Sequence, residues 1–206
     1  MRCGSIRYHM VLDFHIIAFT HRNLDVSEIG KVHIEPDAQE DRLKKVKSVL
    51  DMKEFMFLST CNRVEFMLCA QKTIDSEYLT ALFSTLYTDF SEEQIATLVK
   101  AAIVLQGLDA VNHILQVASS IDSMVVGERE IITQVRSAFE RCKKFNLTGD
   151  FIRLVMRHTI ETAKRVYTET SIATKPVSVV ALAYHKLRNL DIPLDARVLM
   201  VGAGVT

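Results

Sequence analysis

An α+β fold is what this sequence predicts, and three observations carry it. Short apolar, β-branched runs of strand type alternate with segments whose apolar residues recur at helical spacing. After Gly107 only helical spacing is found until the chain's final residues. Those residues, ARVLMVGAGVT, read as a buried strand running into Gly-Ala-Gly.

Taken in order, residues 11–21, VLDFHIIAFTH, read as a strand. Residues 38–51 place Leu43, Val46, Val49 and Leu50 at helical spacing with lysines between them, the pattern of a helix lying on a sheet. EFMFLST (54–60) and VEFMLCA (64–70) are apolar runs separated by Cys61, Asn62 and Arg63, which suits a tight hairpin. A helix at 76–88, another over SEEQIATLVK and a short strand, AIVLQG (102–107), complete the order β-α-β-β-α-β. That is the split-βαβ, ferredoxin-like arrangement, with one helix inserted before its last strand.

In the helical part, Leu108, Val111, Leu115 and Ala118 mark one apolar stripe. Ile131, Val135, Ala138, Phe139, Cys142 and Phe145 mark a second. Helices are expected over 150–168 and, beyond Pro176, over 178–190. The boundary falls near 191–195, ahead of the strand that would open a Rossmann domain. Residues 1–10 are expected to be mobile.

Composition narrows the function. Lys plus Arg number 25, as do Asp plus Glu, so no global positive field marks a nucleic-acid binder and any RNA contact must be local. Apolar runs are broken by His, Lys or Arg before the ~20 residues a bilayer span needs, and the start lacks a secretory layout. A soluble cytoplasmic protein without membrane association is the expectation. The four cysteines, Cys3, Cys61, Cys69 and Cys142, form no CxxC pair, so neither a disulfide framework nor a metal site is expected.

Four motifs can carry chemistry. In STCNR, residues 59–63, a cysteine in a turn at a strand end presents its sulfur above the sheet edge, and Arg63 can favour the thiolate. The plain alternative is a small buried residue, which fits Cys69 and Cys142 well. His113 projects away from the Leu108 stripe, alongside Asp109, Asn112 and Gln116, where an imidazole facing a cleft can polarise a carbonyl or exchange a proton. An ordinary solvated histidine is the alternative. In SSIDSMVVGEREIITQ, short polar side chains precede a helix starting near Glu128, which suits either a capped loop or a pocket for a small charged substrate. VLMVGAGVT offers the first two glycines of a dinucleotide fingerprint, Gly202 and Gly204 around Ala203.

Together, in order and spacing, these motifs resemble glutamyl-tRNA reductase. The family's signature stands as Ser59, Thr60, Cys61, Asn62 and Arg63, its histidine as His113, and its next block as Ile121, Asp122, Ser123, Met124, Gly127, Glu128 and Ile131. Gln134 and the helix at 178–187 fit as well. The resemblance implies an oxidoreductase that opens tetrapyrrole (porphyrin, 5-aminolevulinate) synthesis. Cys61 attacks the ester of glutamyl-tRNA(Glu), and NADPH then reduces the thioester to glutamate-1-semialdehyde. It implies a catalytic domain over 11–146, connecting helices over 147–190 and the truncated start of an NADP-binding domain over 191–206. Thr60, Asn62, Arg63, Ser123, Glu128, Arg129, Glu130 and Gln134 shape the glutamate pocket, with Arg63 gripping a substrate carboxylate and His113 assisting at the carbonyl. Gly202, Ala203 and Gly204 begin the cofactor site. A homodimer and glutamate-1-semialdehyde aminomutase are the implied protein partners.

One position departs from the pattern. Gly127-Glu128-Arg129-Glu130-Ile131 stands where the family usually has Gly-Glu-Pro-Gln-Ile, so a carboxylate at Glu130 must meet the substrate's ammonium or Arg129. With the nucleotide domain cut short, this chain is expected to form and hydrolyse the thioester without reducing it. A cysteine acyl hydrolase and a non-catalytic α/β interaction module are the competing readings.

Overall fold

Buried from end to end, Phe14–Thr20 forms β1, the strand around which the sheet is built. The computed structural model describes residues 10–123 and 126–173, together with residues 184, 186–190, 196, 197 and 199. After β1 come α1 (Val26–Lys31), α2 (Pro36–Val49), β2 (Glu54–Ser59), β3 (Arg63–Cys69), α3 (Ser76–Leu86), α4 (Glu92–Ala101) and β4 (Ile103–Gln106). The helical part is α5 (Leu108–Ala118), α6 (Glu130–Lys144) and α7 (Asp150–Glu169), closed by a 3-10 turn, Ser171–Ala173. Among the described residues α1, a six-residue helix, has no counterpart in the sequence reading, and the strand expected from residue 11 begins at Phe14, residues 10–12 being helical. Of the helix expected over 178–190, residues 184 and 186–188 are helical. The rest of that helix, except the turn at 189–190, lies outside the described residues, as does the strand ending in Gly202, Ala203 and Gly204 apart from residues 196, 197 and 199, which are not in a strand.

The strands lie in the order β2-β3-β1-β4, each neighbouring pair antiparallel. Because side chains alternate along a strand, Phe14, Ala18, Arg63 and Glu65 share one face, while Phe19, Phe66 and Phe57 share the other. On the second face the rings of Phe19 and Phe66 meet Phe83 of α3 in tilted contacts at 5.4 and 6.1 Å. On the first, Phe14 meets Phe151 of α7 at 5.5 Å. β1, β2 and β3 are thus buried on both sides, which explains their near-continuous apolar runs, whereas the edge strand β4 is largely exposed.

Edge strand β2 is covered rather than left open. Its outward N–H groups at Phe55 and Phe57 donate to the Leu147 carbonyl (2.9 Å) and to Cys142 Sγ on α6 (3.4 Å). Glu54, at the head of β2, accepts the N–H groups of Gly149, Phe151 and Ile152 at 2.8, 3.0 and 2.8 Å. Its carboxylate therefore caps α7 from a distance of almost a hundred residues in sequence, at the positive end of the helix dipole. No helix among the described residues is long and apolar enough to cross a membrane.

Candidate active site

The β2–β3 hairpin closes on Thr60. Its N–H donates to the Arg63 carbonyl at 2.9 Å, and its Oγ1 accepts the N–H groups of Asn62 and Arg63, both at 3.2 Å. The turn therefore consists of Cys61 and the half-buried Asn62, and the Cys61 thiol is free and exposed. Cys69 and Cys142 are free and buried. Burial, aided by the nearby Glu54 and Asp13 carboxylates, pushes the Cys69 thiol far up. Burial pushes Cys142 up to about 11. Of the described cysteines, Cys61 alone is placed to meet a substrate.

Beneath the hairpin, on the face shared with α5, lies a buried charge cluster. Arg63, 4% exposed, donates from Nη1 to Glu65 Oε1 at 2.6 Å. The same oxygen accepts His113 Nε2 at 2.9 Å. Arg63 Nη2 reaches the Asp122 carbonyl and, at 3.4 Å, Asp122 Oδ2. Arg22 holds Asp122 Oδ1 at 2.7 Å. Two guanidiniums thus face two carboxylates. Burial, the largest influence on Glu65, raises its pKa, but His113 and Arg63 together outweigh it and hold the carboxyl below its ordinary value. Glu65 is 0% exposed, and its Oε2 has no hydrogen-bond partner among the described residues.

Two expectations are corrected here. The buried face of α5 is Ala110, Ile114, Val117 and Ala118, whereas Leu108 is 74% exposed. α5 starts at the end of an edge strand, so its first apolar residue projects outward and the true stripe is rotated from the one that Leu108 suggests. His113, three residues after Ala110 and four before Val117, sits at the rim of that face against the sheet, not opposite it. Arg63 is likewise not free for a substrate carboxylate in this structure, since its guanidinium is buried and bonded to Glu65 and Asp122.

The loop after α5 is shaped by its backbone. Ser120 has φ 56°, and both its carbonyl and its Oγ accept the Gly127 N–H, at 3.2 and 3.1 Å. Gly127 has φ 88°, and a Cβ there would lie 2.2 Å from the Ile172 carbonyl oxygen. Tyr167 of α7 donates to the Glu128 carbonyl at 2.9 Å, and Arg129 lies 5.9 Å over its ring. Glu128 is half-buried; Arg129 and Glu130 are exposed, with Glu130 opening α6. Ser123 is half-buried next to Asp122, which ties it to the cluster. Gln134 lies apart, in the wall of a hollow of about 160 Å³ that also includes Ser59. Gly202, Ala203 and Gly204 fall outside the described residues, and no group of three His, Cys, Asp or Glu residues able to hold a metal occurs among them.

Sequence reading missed Glu65, Arg22 and Tyr167. For Glu65 a signal was present: a lone acid inside V-E-F-M-L must be paired when the strand is buried. Arg22 and Tyr167 act through tertiary placement and give no local sign.

The described residues thus form an α+β unit with an exposed thiol at a hairpin tip and, two residues on, an arginine that enters an internally compensated charge cluster holding an imidazole. The family model described as glutamyl-tRNAGlu reductase, N-terminal domain, matches residues 17–170, and the chain belongs to that family. It is 31% identical to the glutamyl-tRNA reductase of Syntrophus aciditrophicus over 92% of this chain and 45% of that protein. The Campylobacter concisus glutamyl-tRNA reductase is 33% identical over 91% of this chain and 44% of that protein. Among solved structures, glutamyl-tRNA reductase from Methanopyrus kandleri superposes with a TM-score of 0.66 at 26% identity, covering 86% of this chain and 40% of the other. The chain spans less than half the length of these relatives.

Proposed function

We propose that this chain carries the acyl-transfer half of glutamyl-tRNA reduction, with Cys61 as the nucleophile. The observation behind this reading is the free, exposed sulfur in the Thr60–Arg63 turn, two residues from the arginine of the Arg63–Glu65–His113 cluster. The Cys61 thiolate attacks the ester carbonyl of glutamyl-tRNA(Glu). A carbon–sulfur bond forms, the carbon–oxygen bond to the terminal ribose breaks, and the ribose oxygen leaves with a proton. With Nε2–H donated to Glu65, His113 keeps Nδ1 unprotonated, to take up the proton that the Cys61 thiol loses and then pass it to the leaving ribose oxygen.

Asn62, Ser123, Glu128, Arg129, Glu130 and Gln134 are the further glutamate contacts in this reading, and Thr60 contributes by shaping the turn. Arg63 stays bonded to Glu65 and Asp122 in this reading and acts by holding the hairpin against the loop after α5. When bound, NADPH supplies the hydride that takes the thioester to glutamate-1-semialdehyde, in the first step of tetrapyrrole synthesis; no step is assigned to Gly202, Ala203 or Gly204. A cytoplasmic homodimer passing its aldehyde to glutamate-1-semialdehyde aminomutase completes the reading. The β2-β3-β1-β4 order, with helices between β1 and β2 and between β3 and β4, supports a ferredoxin-like, split-βαβ arrangement.

Intact-mass analysis after mixing the chain with glutamyl-tRNA tests the proposal. A single glutamyl adduct, discharged by hydroxylamine and lost in Cys61→Ser, is expected. An adduct that persists in Cys61→Ser would refute it.

A further inference from the structure

Beside the hairpin, on the outward side of β2, lies the hollow of about 160 Å³ mentioned above. Ser59, Thr133, Gln134, Ser137 and Arg141 supply its polar wall and Phe57 part of its apolar one, and none of its lining side chains is acidic. With Ser59 Oγ engaged by His33 Nδ1 at 2.8 Å and Gln134 assigned to the glutamyl group, the Thr133 and Ser137 hydroxyls and the Arg141 guanidinium are the donors offered to a tetrahedral oxyanion.

Arg141 is held in position. Its Nη1 donates at 2.9 Å to Oε1 of Gln39, which is 2% exposed and anchored in turn by a 2.7 Å bond from Nε2 to the Ile34 carbonyl. Unlike Arg22, Arg63, Arg153 and Arg165, Arg141 has no carboxylate partner among the described residues. A buried neutral amide thus orients the guanidinium while leaving its charge uncompensated. Lys144, three residues on, adds a second cation on that flank. Ser59 is two residues before Cys61, at most about 7 Å along an extended chain, so an anion in the hollow sits a short step from the thiol.

We propose that this hollow binds a backbone phosphate of the single-stranded RNA end whose ester Cys61 attacks. The inference rests on the acyl-transfer reading above and adds to it where the RNA is gripped. With acidic and basic residues balanced at 25 each, the grip depends on such a local site and not on a global field.

The test compares wild type, Arg141→Gln, Arg141→Lys and the double variant Thr133→Val/Ser137→Ala. Binding of uncharged tRNA is followed across salt concentrations, and acyl transfer is followed from glutamyl-tRNA and from glutamyl-adenosine, which has the ester but no phosphate. Arg141→Gln is expected to weaken tRNA binding about tenfold and to make the salt slope shallower by about 0.7. Transfer from glutamyl-tRNA at limiting concentration should fall in step, and transfer from glutamyl-adenosine should not change. Arg141→Lys should restore the slope, and the double variant should weaken binding without altering it.

Equal loss with both esters would mean that the hollow reads the glutamyl group and would overturn the proposal, as would unchanged tRNA binding. Inorganic phosphate displacing tRNA as effectively as a short RNA would identify a free-anion site and also overturn it. Should wild type accept glutamate from neither ester, the acyl-transfer reading fails, while tRNA binding by the variants still decides the phosphate site.

Discussion

A thiol's surroundings decide whether it reacts, and the described cysteines differ sharply in that respect. Cys61 is exposed, whereas burial pushes Cys142 up to about 11 and Cys69 higher still. At neutral pH, iodoacetamide should modify Cys61 far faster than Cys69 or Cys142 in the native chain, and urea should abolish the difference. Peptide mapping reads the order, and comparable native rates would contradict the placement of these sulfurs. Glu65 has a pH signature. Its folded pKa lies below the ordinary value of 4.5, so its contribution to stability is fully present above that value and is lost as pH falls through the lowered folded one. Glu65→Gln leaves Arg63 and His113 undercompensated and should cost about 3 kcal/mol at pH 7. In urea unfolding the gap between the two proteins should close as pH falls below 4.5. Cys61 was legible because a polar break between two apolar runs reads as a turn. The commitment of Arg63 was not, since Asp122 is 59 residues away in sequence.

Elements here are fixed by contacts that local patterns only partly encode. The apolar stripe of α6 was legible residue by residue, from Ile131 to Cys142, because the helix buries one continuous face, against the β2 edge and the neighbouring helices. On α5 the first apolar residue projects into solvent, and the inferred stripe was displaced accordingly. The start of α7 depends on Glu54, a remote carboxylate, in place of a local cap. Glu54→Ala frees three helix N–H groups and should destabilise by about 3 kcal/mol, with the extra hydrogen exchange concentrated in residues 149–152. Two glycines make a matched pair. Gly127→Ala meets both a positive φ and the Ile172 carbonyl and should cost more than about 2 kcal/mol in urea unfolding. Gly30→Ala, with nothing within 4 Å and a helical backbone, should be neutral or stabilise by up to about 1 kcal/mol. Equal effects at both positions would contradict the backbone described for the Ser120–Gly127 loop.

At the scale of the whole molecule, three strands buried on both faces, β1, β2 and β3, hold the hairpin rigid while leaving its tip uncovered. Helices α2 and α3 cover one face and α5 and α7 the other, with α6 along the β2 edge, so the Arg63–Glu65–His113 cluster lies inside packed layers and Cys61 just beyond them. The alternation of strands and helices was legible because each apolar run has its own period, but which strands become neighbours is a tertiary outcome. The most direct test of acylation at Cys61 is to locate the glutamyl group. Trypsin cleavage after Lys53 and Arg63 yields residues 54–63, in which Cys61 is the only thiol. After a single turnover with glutamyl-tRNA, that peptide should carry one glutamyl residue and the peptides containing Cys69 and Cys142 none. A glutamyl group on either of those peptides, with residues 54–63 unmodified, would contradict the assignment.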